Sequence, residues 1–353
     1  MGRDAVNKKV LVAMSGGIDS SIACYLLKKK GYQCIGATIK TRPEEECGRA
    51  RSVAHKLGVP HYVFDFSREF NKVIKEYFIR EYENGRTPNP CVYCNSEIKF
   101  GLLLKKAKQL GCRFVSSGHY ARNDKAFSLK KGKDKNKDQS YFLFNLTKAQ
   151  LKHILFPIGN MTKEKVKETA KKIGLKSYNR QSSRDVCFKK EIRKAASGNM
   201  IFNDGRVLGK HKGISHYTIG QRKGLGIAYT EPLYVTKIDS VKNAVYIGTK
   251  SDTYKKILIA DKINWISGVM PLKPFRVKAR IRYGTKEAAA LITPISKKGV
   301  LVEFDKAQAS PTPGQAIVFY GGDEVLGGGW IRGIKIGSGG LSCGQHKSIM
   351  PVY

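Results

Sequence analysis

The chain has 353 residues, with 65 Lys and Arg against 28 Asp and Glu, a net charge of +37. Its length predicts two or three domains with ample core, and its charge predicts a polyanionic partner. It carries no long uncharged apolar run, no secretory signal after Met1 and no lipidation motif, so the expectation is a cytoplasmic protein with no membrane attachment.

The apolar run 10–14 predicts a buried strand, and 20–30, with Ile22, Tyr25, Leu26 and Leu27 toward a sheet, predicts a helix. Between them stand Ser15, Gly16, Gly17, Ile18, Asp19, Ser20 and Ser21. Glycine permits a sharp turn and close approach of a ligand to the backbone. The helix start points free N–H groups and its positive dipole end into that turn. An anion is the expected guest, and the hydroxyls suit phosphate. No Gly-Lys-Ser/Thr follows, so the pattern is not a Walker loop. Ser-Gly-Gly-x-Asp-Ser directly after a strand resembles the PP-loop of the ATP pyrophosphatases. That resemblance implies cleavage of ATP between its α- and β-phosphates and adenylation of a substrate.

Further strands are predicted at 32–39, 62–66 and 114–116, and helices at 44–57, 67–82 and 96–110. Strands alternating with helices predict an α/β fold with a doubly wound parallel sheet. Its ligand crevice lies beyond the carboxyl ends of the strands, where residues 14–20 and 117–120 fall. A hairpin is predicted from 126–129 and 141–144 around the lysine-rich loop 130–139. Thr162 caps a predicted helix ending at Ile173 and Gly174, with its lysines as a solvated face.

Composition shifts near residue 198, where glycine rises and helical patterns stop. The segment 211–227 is basic, aromatic and glycine-rich. Short strands recur at 233–239, 244–248, 275–283, 300–304 and 316–320, which predicts a small antiparallel module followed by a β-barrel. Residues 275–283 alternate strictly, setting Arg276, Lys278, Arg280 and Arg282 on one strand face. Four cations on one face point to phosphate-backbone contact. The expected domains are 1–198, nucleotide-binding and catalytic; 199–253, a small central module; 254–334, a C-terminal barrel; and 335–353, a flexible Gly/Ser-rich tail.

In a reducing compartment the eight cysteines read as thiols or ligands. Cys91 and Cys94 follow Thr87-Pro88-Asn89-Pro90, whose prolines predict an extended loop before the helix at Ser96. Cys94 then sits near a helix N-terminus, which lowers a thiol pKa. Arg184 stands ready to stabilise a thiolate at the distant Cys187. Three chemistries remain open: a zinc site, for which a second ligand pair is missing; a dithiol redox pair; and sulfur chemistry beside a nucleotide site. Cys24, Cys34, Cys47 and Cys112 fall in apolar patterns and are expected in the core, while Cys343 carries no reading.

Several segments together resemble one family. They are residues 15–21, 85–100, 118–122, 137–143, 186–188, 216–226 and 312–315, including Thr-Pro-Asn-Pro…Cys-Asn and Gly-Gln-Arg-Lys-Gly-Leu-Gly. Their order and spacing resemble the tRNA-specific 2-thiouridylases, tRNA-uridine 2-sulfurtransferases of bacteria and organelles. The resemblance spans residues 9 to about 330 and implies replacement of oxygen by sulfur at C2 of the tRNA wobble uridine. It implies ATP contacts at Ala13, Met14, Ser15, Gly16, Gly17, Ile18, Asp19, Ser20, Ile39 and Gly118, with Asp19 helping to hold Mg²⁺. Cys94 matches the nucleophile and Cys187 the persulfide carrier. The implied tRNA contacts are Asn89, Pro90 and Cys91 at the target base, with His119, Lys137, Asp138, Gln139, Arg282, Tyr283 and Gln315. The implied partners are tRNA and a sulfur-relay protein or cysteine desulfurase.

The chain departs from the pattern in three places. Cys91 stands where some relatives carry Asp, so Cys91, Cys94 and Cys187 supply three thiols, enough to ligate a [4Fe–4S] cluster with one open iron. The stretch between Cys187 and Gly205 is short, and the Gly/Ser tail lies outside the pattern.

Overall fold

The computed structural model describes residues 8–42, 47–175, 187–188, 196–336 and 340–342. The first region alternates strands with helices. Strand β1 (Lys9–Ala13) leads into helix α1 (Ile18–Lys29), and β2 (Gln33–Lys40) into α2 (Gly48–Lys56). Strand β3 (His61–Asp65) leads into a helix α3 over 67–83, which is π-helical at Asn71–Lys75. Helix α4 covers 90–109 and is π-helical at Cys94–Leu102. Then come β4 (Phe114–Ser116), β5 (Ala121–Asn123), β6 (Leu129–Lys131), β7 (Ile154–Leu155) and α5 (Lys163–Lys172).

Strands β3-β2-β1-β4-β7 form a parallel sheet in that order. Along β1, Val10 and Val12 pack into a core with α1, α2 and α5, while Leu11 packs into the opposite core with α3 and α4. Period-2 alternation buried on both faces is what a doubly wound sheet requires. The strand order reverses between β1 and β4, so the topological switch point lies where residues 14–20 and 117–119 leave the sheet.

Three local expectations change. Helix α4 begins at Pro90, not Ser96, because proline is accommodated at a first helical position where its missing N–H is not needed. The hairpin pairs β6 with β5, not with 141–144. Residues Ser140–Leu143 instead form a 3₁₀ turn, with Tyr141 fully buried and its hydroxyl donating to the Ala316 carbonyl at 2.8 Å. And Lys163 of α5 turns inward rather than into solvent.

A second sheet holds β8 (Gly198–Phe202), β9 (Val207–His211), β10 (Tyr234–Asp239) and β11 (Ala244–Gly248) in the order β10-β11-β8-β9. It is mixed rather than antiparallel, since β11 runs parallel to β8. The long excursion after β9 brings the chain back to allow that pairing. Ile214, Tyr217, Ile219 and Leu225 from this glycine-rich excursion build the module's core.

The barrel is formed by β12 (Tyr254–Trp265), β13 (Phe275–Arg280), β14 (Ala288–Ser296), β15 (Gly299–Ala309), β16 (Ala316–Gly321) and β17 (Glu324–Ile336). Their order is β12-β15-β14-β13-β16-β17, and β17 pairs back onto β12, closing six strands. Strand β18 (Gly340–Ser342) pairs with β17, so the backbone just past Gly333 is part of a sheet and not a flexible tail. Residues 343–353, with Cys343, lie outside the described residues. Strand β6 joins β17 through Glu324 and Lys130, running the barrel sheet into the first domain.

The expected cationic face of β13 is largely occupied. Arg276 pairs with Asp305, and Arg280 reaches Glu287 at 2.9 Å and Asp138 at 3.7 Å with only 15% of its side chain exposed. The strand ends at Arg280, and Arg282 beyond it donates to Thr312 Oγ1 at 2.9 Å. Lys278 remains exposed. No helix among the described residues is long and apolar enough to cross a membrane.

Candidate active site

Residues 14–20 form a turn between β1 and α1. Gly16 lies at φ +72°, the left-handed region that glycine enters freely, and an added Cβ would meet Arg49 Cβ at 2.8 Å. Gly17 is the N-cap of α1, and no side chain caps the helix. An uncapped N-terminus keeps its first-turn amides for an anion. The hydroxyls mostly build the turn itself. Ser20 and Ser21 each donate to the Gly17 carbonyl, at 3.0 and 2.8 Å, and Ser15 Oγ accepts from Gly17 N at 3.4 Å.

From β4, Gly118 packs on this turn so closely that a Cβ would meet Asp19 C and Ser20 N at 2.6 Å. Ser116, the last residue of β4, is fully buried with its hydroxyl lacking a hydrogen-bond partner among the described residues. An uncapped helix start, a cradle kept open by glycine and an orphaned hydroxyl at the switch point fit a nucleotide. Ala13 and Ile39 pack at the edge of the same core as Cys94.

Asp19 is held from two sides. Tyr120 Oη donates to Asp19 Oδ1 at 2.8 Å, and Lys163 Nζ lies 2.6 and 2.8 Å from the two carboxylate oxygens. Burial first, and then the Asp19 charge, raise the Tyr120 phenol far above its ordinary pKa, so it remains a donor.

The chain of contacts continues to α4, the helix that carries Cys91 and Cys94. His119 Nδ1 shares a 2.7 Å hydrogen bond with Ser117 Oγ, and its ring lies 5.8 Å from Phe100 of α4. Burial, with Lys99 adding, holds the His119 pKa well below its ordinary value, which keeps the ring neutral. On α4, Cys91 is exposed and Cys94 half-buried. Cys94 lies one turn inside the helix, beyond the terminal amides, and burial pushes its thiol up to about 11. The expected lowering is thus reversed, because desolvation of the thiolate outweighs the dipole. The Cys91 thiol is raised too, because the protein around its sulfur strips water from the thiolate although the residue reaches the surface.

Lys99 opposes burial at both sulfurs. Residues five apart stack in a π-helix, whereas in an α-helix they point to different sides. Lys99 and Cys94 lie on the same π-helical stretch of α4. Cys187 is exposed, and its charge bears on both Cys91 and Cys94. Phe188 anchors it, packing edge-on at 5.8 Å from Phe70 and 5.0 Å from Phe78 of α3. Arg184 lies outside the described residues. Of the cysteines expected in the core, Cys24, Cys34 and Cys112 are buried and Cys47 is half-buried.

Several of the expected tRNA-contacting residues face inward. Gln315 Nε2 donates to the carbonyls of Thr87 and Pro88 at 3.0 and 3.2 Å, clamping the loop before Cys91. Asp138 is 5% exposed and accepts from Gly132 N, Ser140 N and Ser140 Oγ. Gln139 exchanges hydrogen bonds with the Tyr120 backbone. Asn89 and Pro90 are buried at the start of α4. Tyr283 is 41% exposed, its ring 4.4 Å from Phe142, and Lys137 is half-buried. Sequence reasoning missed Lys99, Tyr120 and Lys163. Spacing along a π-helix would have signalled the first, had the π-turn been visible, while the other two come together only through the fold.

A parallel sheet with an uncapped glycine turn at its switch point, joined to two β modules, defines a nucleotide-binding α/β protein of the PP-loop class. The family model described as a tRNA methyl transferase HUP domain matches residues 8–191, a PRC-barrel domain model of the same family matches 187–249, and an aminomethyltransferase β-barrel domain model matches 255–331. The tRNA-specific 2-thiouridylase MnmA of Halothermothrix orenii is 45% identical over 92% of this chain and 99% of its own. Those of Clostridium acetobutylicum and Acetivibrio thermocellus are 44% and 45% identical, over 93% and 92% of this chain and 100% and 99% of theirs. The chain belongs to the tRNA-specific 2-thiouridylase family, a family of tRNA-uridine sulfurtransferases.

Proposed function

We propose that this chain replaces oxygen by sulfur at C2 of the wobble uridine, U34, of tRNA, through adenylation of the base and sulfur transfer from a cysteine persulfide. The observation that supports the reading is that the phosphate turn packs on Gly118, that His119 beside it meets Phe100 of α4, the helix that carries Cys94, and that Cys187 is in electrostatic reach of Cys94. Carbonyl oxygen is a poor leaving group, and ATP supplies its activation. Residues 13–20, Ile39 and Gly118 hold the nucleotide, and Asp19 offers a carboxylate to Mg²⁺. A persulfide on Cys187, or sulfide released from it by Cys94, attacks C2 and AMP departs. Cys94 and Cys187 finish as a disulfide that a reductant reopens. The target base must leave its stack to enter the site. A cysteine desulfurase or relay protein loads the sulfur.

The proposed roles follow the domains: 1–198 catalyses, 199–253 and the barrel 254–334 hold tRNA, and the protein works in the cytoplasm. His119, Lys137, Arg282 and Tyr283 meet the tRNA, while Asn89, Pro90 and Cys91 form the floor under the base. Asp138, Gln139 and Gln315 support that floor from behind. Among the described residues Cys91, Cys94 and Cys187 are not gathered into a group able to hold a metal ion, and no step is routed through a [4Fe–4S] cluster.

The test is anaerobic thiolation of tRNA with measurement of 2-thiouridine, AMP and iron. Cys94→Ser and Cys187→Ser should lose thiolation and AMP release and still release pyrophosphate from ATP as the base is adenylated. Cys91→Ser should retain most activity. If Cys91→Ser loses activity and iron together, the persulfide route is wrong and the cluster route replaces it.

A further inference from the structure

We propose that Lys163 is a pyrophosphate-gripping residue: on nucleotide binding it exchanges the Asp19 carboxylate for the β- and γ-phosphates of ATP. This deepens the adenylation reading and rests on it. Lys163 comes from a helix remote in sequence, yet its ammonium bridges both oxygens of Asp19 at 2.6 and 2.8 Å. Asp19 lies in the first turn of α1, at the phosphate turn. The lysine is not there by accident of a mobile chain. Its backbone N–H donates to Asp134 Oδ2 at 2.9 Å, Thr162 caps its helix through Lys165 N, and the Tyr120 ring lies 5.9 Å from the ammonium. Val166 and Ala170 bury α5 in the same core as Ile22 and Ala23 of α1. By contrast, Lys165 pairs with the exposed Glu168 on the outer face.

An ion pair in this place cannot persist unchanged through the reaction. A polyphosphate brings several negative charges to the turn, and Mg²⁺ brings a competitor for the carboxylate. The ammonium and the carboxylate are then exchanged together: Asp19 is released to the cation, and Lys163 to the phosphates. In adenylation, a lone pair of uracil O2 forms a bond to the α-phosphorus while the bond to the bridging oxygen breaks. The electron pair of that bond leaves with pyrophosphate. A fixed cation beside the departing group stabilises the charge that develops there. Tyr120 keeps Asp19 oriented during the exchange, since its hydroxyl donates to one carboxylate oxygen only.

The experiment is calorimetric titration of the full-length protein and its variants with ATP, AMP and inorganic pyrophosphate, with and without Mg²⁺. In Lys163→Gln the affinities for ATP and pyrophosphate should fall about 10- to 100-fold, the scale of a charge-assisted contact, while AMP binds as in the parent. Lys163→Arg should recover most of the loss. In Asp19→Asn, whose lysine has lost its partner, metal-free ATP should bind more tightly, and the gain should vanish in Asp19→Asn/Lys163→Gln. Equal weakening of ATP and AMP by Lys163→Gln, or no weakening of either, overturns the proposal and leaves Lys163 as a support for Asp19. A parent protein that binds neither nucleotide overturns the adenylation reading itself.

Discussion

The phosphate turn and the helix that carries the thiols are linked through Gly118, His119 and Phe100, yet the two centres are built from different materials. The turn is made of backbone: Gly16 in the left-handed region, an uncapped α1, and hydroxyls tied to the Gly17 carbonyl. It is ready for an anion before any ligand arrives. The thiol centre is made of side chains whose state depends on burial. Cys94 and His119 are both held neutral in the ligand-free protein, the first by desolvation and the second by desolvation with Lys99. One half of the site is preorganised for an anion and the other is held neutral by burial.

The largest expected effect tests that neutral state. With its pKa near 11, Cys94 has a thiolate fraction of about 10⁻⁴ at pH 7. Its alkylation in the free enzyme should rise about tenfold per pH unit toward that value. Lys99→Gln should move the midpoint higher, because the cation favours the thiolate. A plateau already reached by pH 8 would show the centre to be as preorganised as the turn. The converse probe strikes the turn: Asp19→Ala should cut AMP formation by about 10²–10³ with tRNA affinity unchanged. Normal thiolation by that variant would remove the phosphate turn from the mechanism.

The same contrast recurs on β13, where Arg280 is committed inward and Lys278 is not. Arg280→Ala removes one of the two cations on Glu287, which keeps Lys131, and the cation nearest Asp138, so it should cost about 1–2 kcal/mol of stability and leave the salt dependence of tRNA binding alone. Lys278→Ala should do the reverse, lowering the log–log salt slope by roughly 0.7–0.9 at unchanged melting temperature. A flat salt response in the parent would count against tRNA phosphates as the partner of this face.

His119 gives a smaller effect. Its folded pKa lies below the unfolded value of about 6.5, so the unfolded chain binds the extra proton first. Stability from this group is therefore full above that pH and declines as pH falls, by up to about 2 kcal/mol between pH 7 and pH 5. His61, shifted the same way by burial, adds to it. His119→Gln should flatten the acid limb of a melting-temperature profile. An unchanged limb would mean that His119 accepts its proton in the folded state and that burial does not keep the ring neutral.

What was legible in the sequence divides along the same line. Backbone-determined features show in local pattern: the strand–turn–helix at 9–29, the alternation of strands and helices, and the cap at Thr162 with Gly174 closing the helix. Burial-determined features do not. Four cations in strict alternation look identical whether their partners are phosphates or Asp305, Glu287 and Asp138, because those carboxylates lie elsewhere in the chain. Cys94 reads as activated from a helix start that in fact lies at Pro90. The α5 lysines read as solvated because helical period says nothing of Asp19, and strands β8, β9, β12, β14 and β17 lack the strict alternation that marks β13.

Gln315 and Thr312-Pro313-Gly314 bear on how this enzyme can be taken apart. Gln315 holds the carbonyls of Thr87 and Pro88, Pro313 accepts from Thr87 N, and Asn264 donates to the Phe144 and Leu146 carbonyls at 2.7 and 3.1 Å. Trp330 of the barrel stacks at 4.8 Å on Tyr93, between the two thiols of α4. The C-terminal barrel is therefore a back wall for the segment that carries Cys91 and Cys94. A chain ending before residue 254 would keep the turn at 14–20 and lose the brace on the loop before Cys91.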